Sequence, residues 1–165
     1  MYKIGIVGRG FVGSAVEFGF SPNGGCDAEV RVYDKDPNKS LHSLKETINE
    51  SDYVFVSVPT PSNQDGSINL DIIYDLFDEI DKVIDYEAEQ HPVIMIRSTV
   101  TPGTTRKIQQ EYPKMYIVFN PEFLTERSAK FDFINQSRFI VGGNWGSTTK
   151  VEHLYQWRFG KSTPV

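Results

Sequence analysis

The sequence predicts an α/β fold, a doubly wound, mainly parallel sheet of about six strands with helices on both faces. Three observations carry this. Short apolar runs alternate along the chain with stretches of helical periodicity, the pattern of a parallel sheet with right-handed crossovers. A G-x-G-x-x-G turn, Gly8 to Gly13, joins the first apolar run directly to the first helical stretch. The later runs end in carboxylates, prolines, hydroxyls or glycines, at the edge where such a sheet binds its ligands.

Ile4, Ile6 and Val7 form the first β-type run, and Ser14 to Phe18 read as the first helix. Between them, Gly8 permits a tight turn, Gly10 lets the backbone approach a pyrophosphate, and Gly13 lets the helix pack close to the strand. The helix then presents free N–H groups and its positive dipole end to the phosphates. Glu29 to Tyr33 read as the second strand, with Asp34 at its carboxyl end. Asp34 lies about 20 residues beyond Gly13, where a ribose-binding acid is expected. A carboxylate there accepts from the 2′-hydroxyl and repels a 2′-phosphate, which favours NAD over NADP. Asp34-Lys35-Asp36-Pro37 also suits a plain turn. Strand, turn, helix and acid nevertheless agree on a Rossmann-type dinucleotide site.

A short helix is expected over about Ser40 to Asn49, where Leu41, Leu44 and Ile48 repeat at helical spacing. Tyr53 to Val58 form a nearly continuous apolar run, the mark of a strand buried on both faces. Pro59-Thr60-Pro61 end it, because proline forbids further sheet pairing. A longer helix follows, roughly Leu70 to Glu89, with Ile72, Ile73, Leu76, Phe77, Ile80, Val83 and Ile84 along one apolar face. Its Asp71, Asp75, Asp78, Asp81 and Asp85 read as a solvated outer face rather than a metal or partner site. Pro92 to Ile96 form a fourth strand, closed by Ser98 and Thr99, and a helix runs from Thr104 to about Tyr112. Tyr116 to Phe119 and Arg138 to Val141 read as the fifth and sixth strands, the latter ended by Gly142-Gly143. An amphipathic segment, about Ser147 to Phe159, completes the chain.

Length and composition narrow the classes. The 165 residues suit one domain, and 39% hydrophobic with 24% charged residues is ordinary for a globular protein. A net charge of −5 argues against a nucleic-acid partner held by phosphate contacts. No run approaches the roughly 18 apolar residues of a membrane span. No signal peptide is read at the N-terminus, and Cys26 is the only cysteine, so a cytoplasmic setting is expected. Cys26 reads as a loop thiol, with no histidine in its local sequence. His42, His91 and His153 are scattered, and no spacing suggests a metal.

Chemistry is expected at the carboxyl ends of the strands. If the segment after Pro121 is helical, Glu122 and Glu126 lie one turn apart on one face. They then serve either as ligand-positioning or general-base carboxylates or as acids that complement a helix dipole. Spacing alone does not choose.

With these residues in hand, the chain resembles the nucleotide-sugar dehydrogenases of the UDP-glucose and GDP-mannose 6-dehydrogenase group. The matching stretches are Gly5 to Gly13, Ser57-Val58-Pro59-Thr60-Pro61, Arg97 to Thr105, Asn120 to Glu126 and Arg138 to Gly143. The resemblance implies oxidation of a sugar primary alcohol to a carboxylate with NAD as acceptor through a cysteine thioester, in polysaccharide biosynthesis. It implies that Gly8, Gly10, Phe11, Val12 and Gly13 hold the pyrophosphate and Asp34 the ribose, with Lys35 as a further cofactor contact. Val58, Pro59, Thr60, Pro61 and Ser98 would line the cofactor path. Thr99 would order a water near the reacting carbon and also touch the cofactor. Glu122 would be the acid/base residue and, with Phe123, Leu124 and Glu126, face the substrate, Glu126 on the nicotinamide side.

The same resemblance implies a further central helix and a second domain carrying the nucleophilic cysteine and the base contacts. The 165 residues are therefore expected to be the NAD-binding domain alone, unable to complete turnover without a complementing domain. The nucleotide sugar, UDP-glucose foremost, would bind only with that domain. A free-standing NAD-binding module that associates with a full-length dehydrogenase is the alternative. Phe131, Phe133, Trp145, Trp157 and Phe159 are the expected uncovered apolar residues, and a homodimer is left open.

Overall fold

The computed structural model describes residues 1–165. Its six strands are β1 (Lys3–Val7), β2 (Glu29–Tyr33), β3 (Tyr53–Val56), β4 (Val93–Ile96), β5 (Tyr116–Phe119) and β6 (Gly142–Gly143). Its α-helices are α1 (Phe11–Gly19), α2 (Leu44–Asn49), α3 (Asp71–Val83), α4 (Thr104–Glu111), α5 (Ala129–Ile134) and α6 (Trp145–Phe159). The strands form one sheet in the order β2-β1-β3-β4-β5-β6, parallel except for β6. The chain passes to opposite sides of β1 for β2 and β3, so the order reverses there, and that reversal opens a crevice at the strand ends.

Alternation along the strands separates two cores. Ile4 and Ile6, Tyr53 and Phe55, Val93 and Met95, and Val118 pack with α1, α5 and α6. Val7, Val54 and Val56, Ile94 and Ile96, and Ile117 pack with α2, α3 and α4. With both faces covered, every residue of β3 and β4 is buried, which is why those runs are apolar without interruption.

The turn after β1 is set by close approach. Gly8 has φ +94°, and a Cβ there would lie 2.5 Å from the Ser57 carbonyl oxygen. A Cβ on Gly13 would lie 1.9 Å from the Gly8 carbonyl oxygen. Only a glycine lets α1 sit this near the turn.

Several element ends differ from the sequence expectation, each with a local cause. The helix expected from Ser40 begins at Leu44, because Ser43 and Glu46 form a capping box there. Leu41 and His42 instead donate their N–H groups to the Val32 carbonyl. The helix expected to reach Glu89 ends at Val83. Asn49 donates to the Val83 carbonyl and accepts from the Asp85 N–H, which caps that end from outside. Arg138 to Val141 are not a strand. Phe139 stacks on Tyr155 at 3.8 Å and its N–H donates to the Pro164 carbonyl, so the segment crosses α6 as a strap. Only Gly142–Gly143 reach the sheet, antiparallel to β5. Phe133, expected at the surface, is fully buried beside Phe20, while Phe131 is 66% exposed and Trp145 82%.

One buried polar cluster ties the strand ends to α6. Asn120, just after β5, is completely buried. Its Oδ1 accepts from Arg97 Nη1 at 2.8 Å and from the Tyr155 hydroxyl, and its Nδ2 donates to the Ile140 carbonyl at 2.8 Å. Burial pushes the Tyr155 hydroxyl pKa up to about 12. Removing Asn120 would strand these partners in the core. Asn120→Ala is expected to cost ~3 kcal/mol in urea denaturation, and a cost below ~1 kcal/mol would contradict the cluster's structural role. Gly13→Ala is expected to lose at least ~2 kcal/mol by the same measurement.

Candidate functional site

The crevice consists of two adjoining cavities that share Gly10, Ser57, Val58 and Pro59. The first, about 360 Å³, lies between β1, β2 and α3 and is lined by Gly8, Asp34, Lys35 and Lys39, with Tyr33, Ile72, Asp75, Leu76 and Glu79. The second, about 260 Å³, lies over β3 and β4 and is lined by Phe11, Val12, Thr60, Arg97, Ser98, Thr99 and Glu122. The glycine turn stands between them.

Asp34 is fastened to that turn. Its Oδ2 accepts from the Arg9 N–H at 2.6 Å and its Oδ1 from the Asp36 N–H at 2.8 Å. The Gly8 N–H donates to the Tyr33 carbonyl at 2.9 Å, which ties the ends of β1 and β2 together. Each carboxylate oxygen retains lone-pair capacity for a diol. Arg9 turns the other way. Its Nε and Nη2 grip Glu17 at 2.8 and 2.7 Å, and this pairing raises the guanidinium pKa further. The turn therefore offers backbone, not a free arginine.

Helix α1 begins at Gly10 with no side-chain cap and no acid in its first turn. Its first N–H groups have no side-chain acceptor, as an anion site requires. A Cβ on Gly10 would meet nothing within 4 Å, so the space above it is open to a ligand. On the far wall, the Ser98 hydroxyl donates to the Val58 carbonyl at 2.7 Å and locks the two strand exits together. Gly13 does not line a cavity, and its task is the close packing of α1.

The residues after β5 divide. Glu122 is half-buried, lines the second cavity, and accepts from the Leu124 N–H. Asn120 to Thr125 are irregular, so the one-turn pairing of Glu122 with Glu126 does not form. Glu126 is exposed at the head of a short 3-10 turn (Glu126–Ser128) and lines neither cavity. Phe123 is 64% exposed, Leu124 packs into the α1-side core, and Pro61 is exposed outside both cavities. Cys26 also lines neither cavity, and burial raises its thiol pKa.

Sequence reasoning missed Lys39, the first turns of α3, and Arg97. Asp75, read as part of a solvated face, borders the first cavity together with Glu79. Nothing in their spacing separates them from the other acids of α3.

No helix is long and apolar enough to cross a membrane. The chain is 32% identical to an uncharacterized protein of Methanocaldococcus jannaschii over 98% of its own length and 21% of that protein. It is 30% identical to a UDP-glucose 6-dehydrogenase of Campylobacter jejuni over 85% of its length and 41% of that enzyme. The solved UDP-glucose dehydrogenase of Pyrobaculum islandicum superposes with a TM-score of 0.80 at 23% identity, over 100% of this chain and 45% of the other. The chain thus spans less than half the length of each of these proteins. Residues 39–158 match the family described as the UDP-glucose/GDP-mannose dehydrogenase family, NAD binding domain, and the chain belongs to that family, as an NAD-binding domain of Rossmann-like fold.

Proposed function

We propose that residues 1–165 form a single domain that seats NAD for oxidation of a nucleotide sugar, with the adenosine half in the first cavity and the nicotinamide in the second. The observation that carries this is the Arg9 N–H to Asp34 bond at 2.6 Å. It holds the Asp34 carboxylate beside the uncapped start of α1, next to the first cavity, which supports a ribose role for that carboxylate. In this reading Gly8, Gly10, Phe11 and Val12 approach the pyrophosphate, and Asp34 takes the ribose hydroxyls. Lys35, Val58, Pro59, Thr60 and Ser98 wall the path.

When bound, the cofactor would supply a hydride acceptor, with Gly10, Val58, Pro59 and Thr60 among the residues that would hold it. The chain contributes the remaining chemistry. The Thr99 hydroxyl, exposed at the cavity mouth, holds a water. The Glu122 carboxylate takes and returns a proton at the oxygen not engaged by the Leu124 N–H. Glu126 and Phe123, outside the cavity, are open to a substrate delivered by another domain. Cys26 lines neither cavity, so a thioester step requires a thiol from elsewhere. We assign the nucleotide sugar, UDP-glucose foremost, to a complementing domain, and the setting to the cytoplasm. Exposed Phe123, Phe131 and Trp145 support a protein partner, a second copy of the chain included.

Isothermal titration of the purified chain tests the seat. NAD should bind, NADP at least about tenfold more weakly, and UDP-glucose barely or not at all. Equal affinity for NAD and NADP would remove the role of Asp34. Asp34→Ala should narrow the gap, because Lys35 and Lys39 then face a 2′-phosphate without the carboxylate. Gly10→Ala should keep its unfolding midpoint while losing about tenfold or more in NAD affinity, since its Cβ meets only ligand space. Sugar acid produced by the purified chain alone would contradict the need for an outside thiol.

A further inference from the structure

Arg97 follows β4 and lines the second cavity, yet only 1% of it is exposed. Its Nη1 donates to Asn120 Oδ1 at 2.8 Å and reaches the Tyr155 hydroxyl at 3.4 Å. Nε and Nη2 have no hydrogen-bond partner. Elsewhere in this fold that pair of nitrogens holds a carboxylate: Arg9 grips Glu17 with it, and Arg31 grips Glu50. The ion pairs of the structure involve Arg9 and Arg31, not Arg97. Its guanidinium lies against the rings of Phe55 and Phe133, 6.0 and 5.6 Å from their centroids. Ring faces, an amide oxygen and a hydroxyl hold the cation without neutralising it. The cluster uses only Nη1 of the guanidinium, so its hydrogen bonds leave the rest of the fork unassigned.

The only other ionisable residue lining this cavity is Glu122, which is half-buried and partly screened by water. We propose that Arg97 is an electrostatic positioning residue, its uncompensated charge biasing the second cavity toward the reduced, neutral nicotinamide ring. This rests on the reading that the nicotinamide occupies that cavity. The oxidised ring carries a positive charge, which Arg97 opposes. That charge vanishes when the carbinol hydrogen leaves as hydride with its electron pair and the hydroxyl proton passes to a base. The repulsion is relieved at that moment, which favours alcohol oxidation.

The test compares the intact chain with R97K, R97Q and R97M by titration with NAD, NADH and ADP-ribose. R97K keeps the charge, R97Q keeps a donor for Asn120 without the charge, and R97M fills the volume. The native chain should prefer NADH to NAD. R97Q and R97M should reduce that preference on the order of tenfold, and R97K should retain most of it. ADP-ribose, which lacks the nicotinamide, should bind all four proteins alike. An unchanged preference in R97Q and R97M overturns the proposal. So does parallel weakening of all three ligands, which reports lost shape rather than lost charge. A native chain that binds none of the three ligands overturns the seat reading and this proposal together.

Discussion

The structure depends on one close approach. A Cβ on Gly13 would lie 1.9 Å from the Gly8 carbonyl oxygen, so α1 can start immediately over the end of β1 only because both residues are glycine. From this follow the uncapped helix start, the open space above Gly10 and the short reach to Asp34. A bulkier residue would push the helix outward, and the crevice would lose its floor. The turn is therefore both a packing constraint and part of the crevice wall. Gly13 serves the packing, Gly8 both packs against Ser57 and lines the first cavity, and Gly10 faces empty space.

On the opposite wall the construction is polar and buried. Asn120 joins Arg97, Tyr155 and the Ile140 carbonyl, linking the exits of β4 and β5 to α6 and to the strap of residues 138–141. Both side-chain polar atoms of Asn120 are paired, which fixes its amide in one orientation. The reward is positional: the residues that follow, Thr99 and Glu122, emerge from fixed points at the rim of the second cavity. The Ser98 hydroxyl bond to Val58 extends the same rigidity to β3. The first cavity, bordered by the exposed Lys35 and Lys39, thus adjoins a second one built over Arg97.

Much of this was legible. The five parallel strands lie where apolar runs end in turn residues, and the tight turn at Gly8 and the close packing at Gly13 follow from their spacing. Asp34, Val58, Thr60, Ser98, Thr99 and Glu122 all reach the crevice from strand ends. The misreadings share a cause. Arg138 to Val141 carry a strand-like pattern, but Phe139 stacks on Tyr155 and its N–H donates to the Pro164 carbonyl, not to the sheet edge. Glu122 and Glu126 have helical spacing, but Asn120 is held in the core and the backbone leaves it in an irregular path. The α3 terminus was set by Asn49, which lies 34 positions from the carbonyl it caps.

What the sequence determined by itself is local and periodic: which runs are buried on both faces, where each ends, and which glycines must be glycine. These follow from side-chain alternation and backbone sterics, which act over a few residues. What only the tertiary structure decided is which charges face one another. Arg9 turns to Glu17, Arg31 to Glu50, and Arg97 to no carboxylate at all. Pairing of that kind depends on distances across the fold, and a linear pattern contains no measure of them.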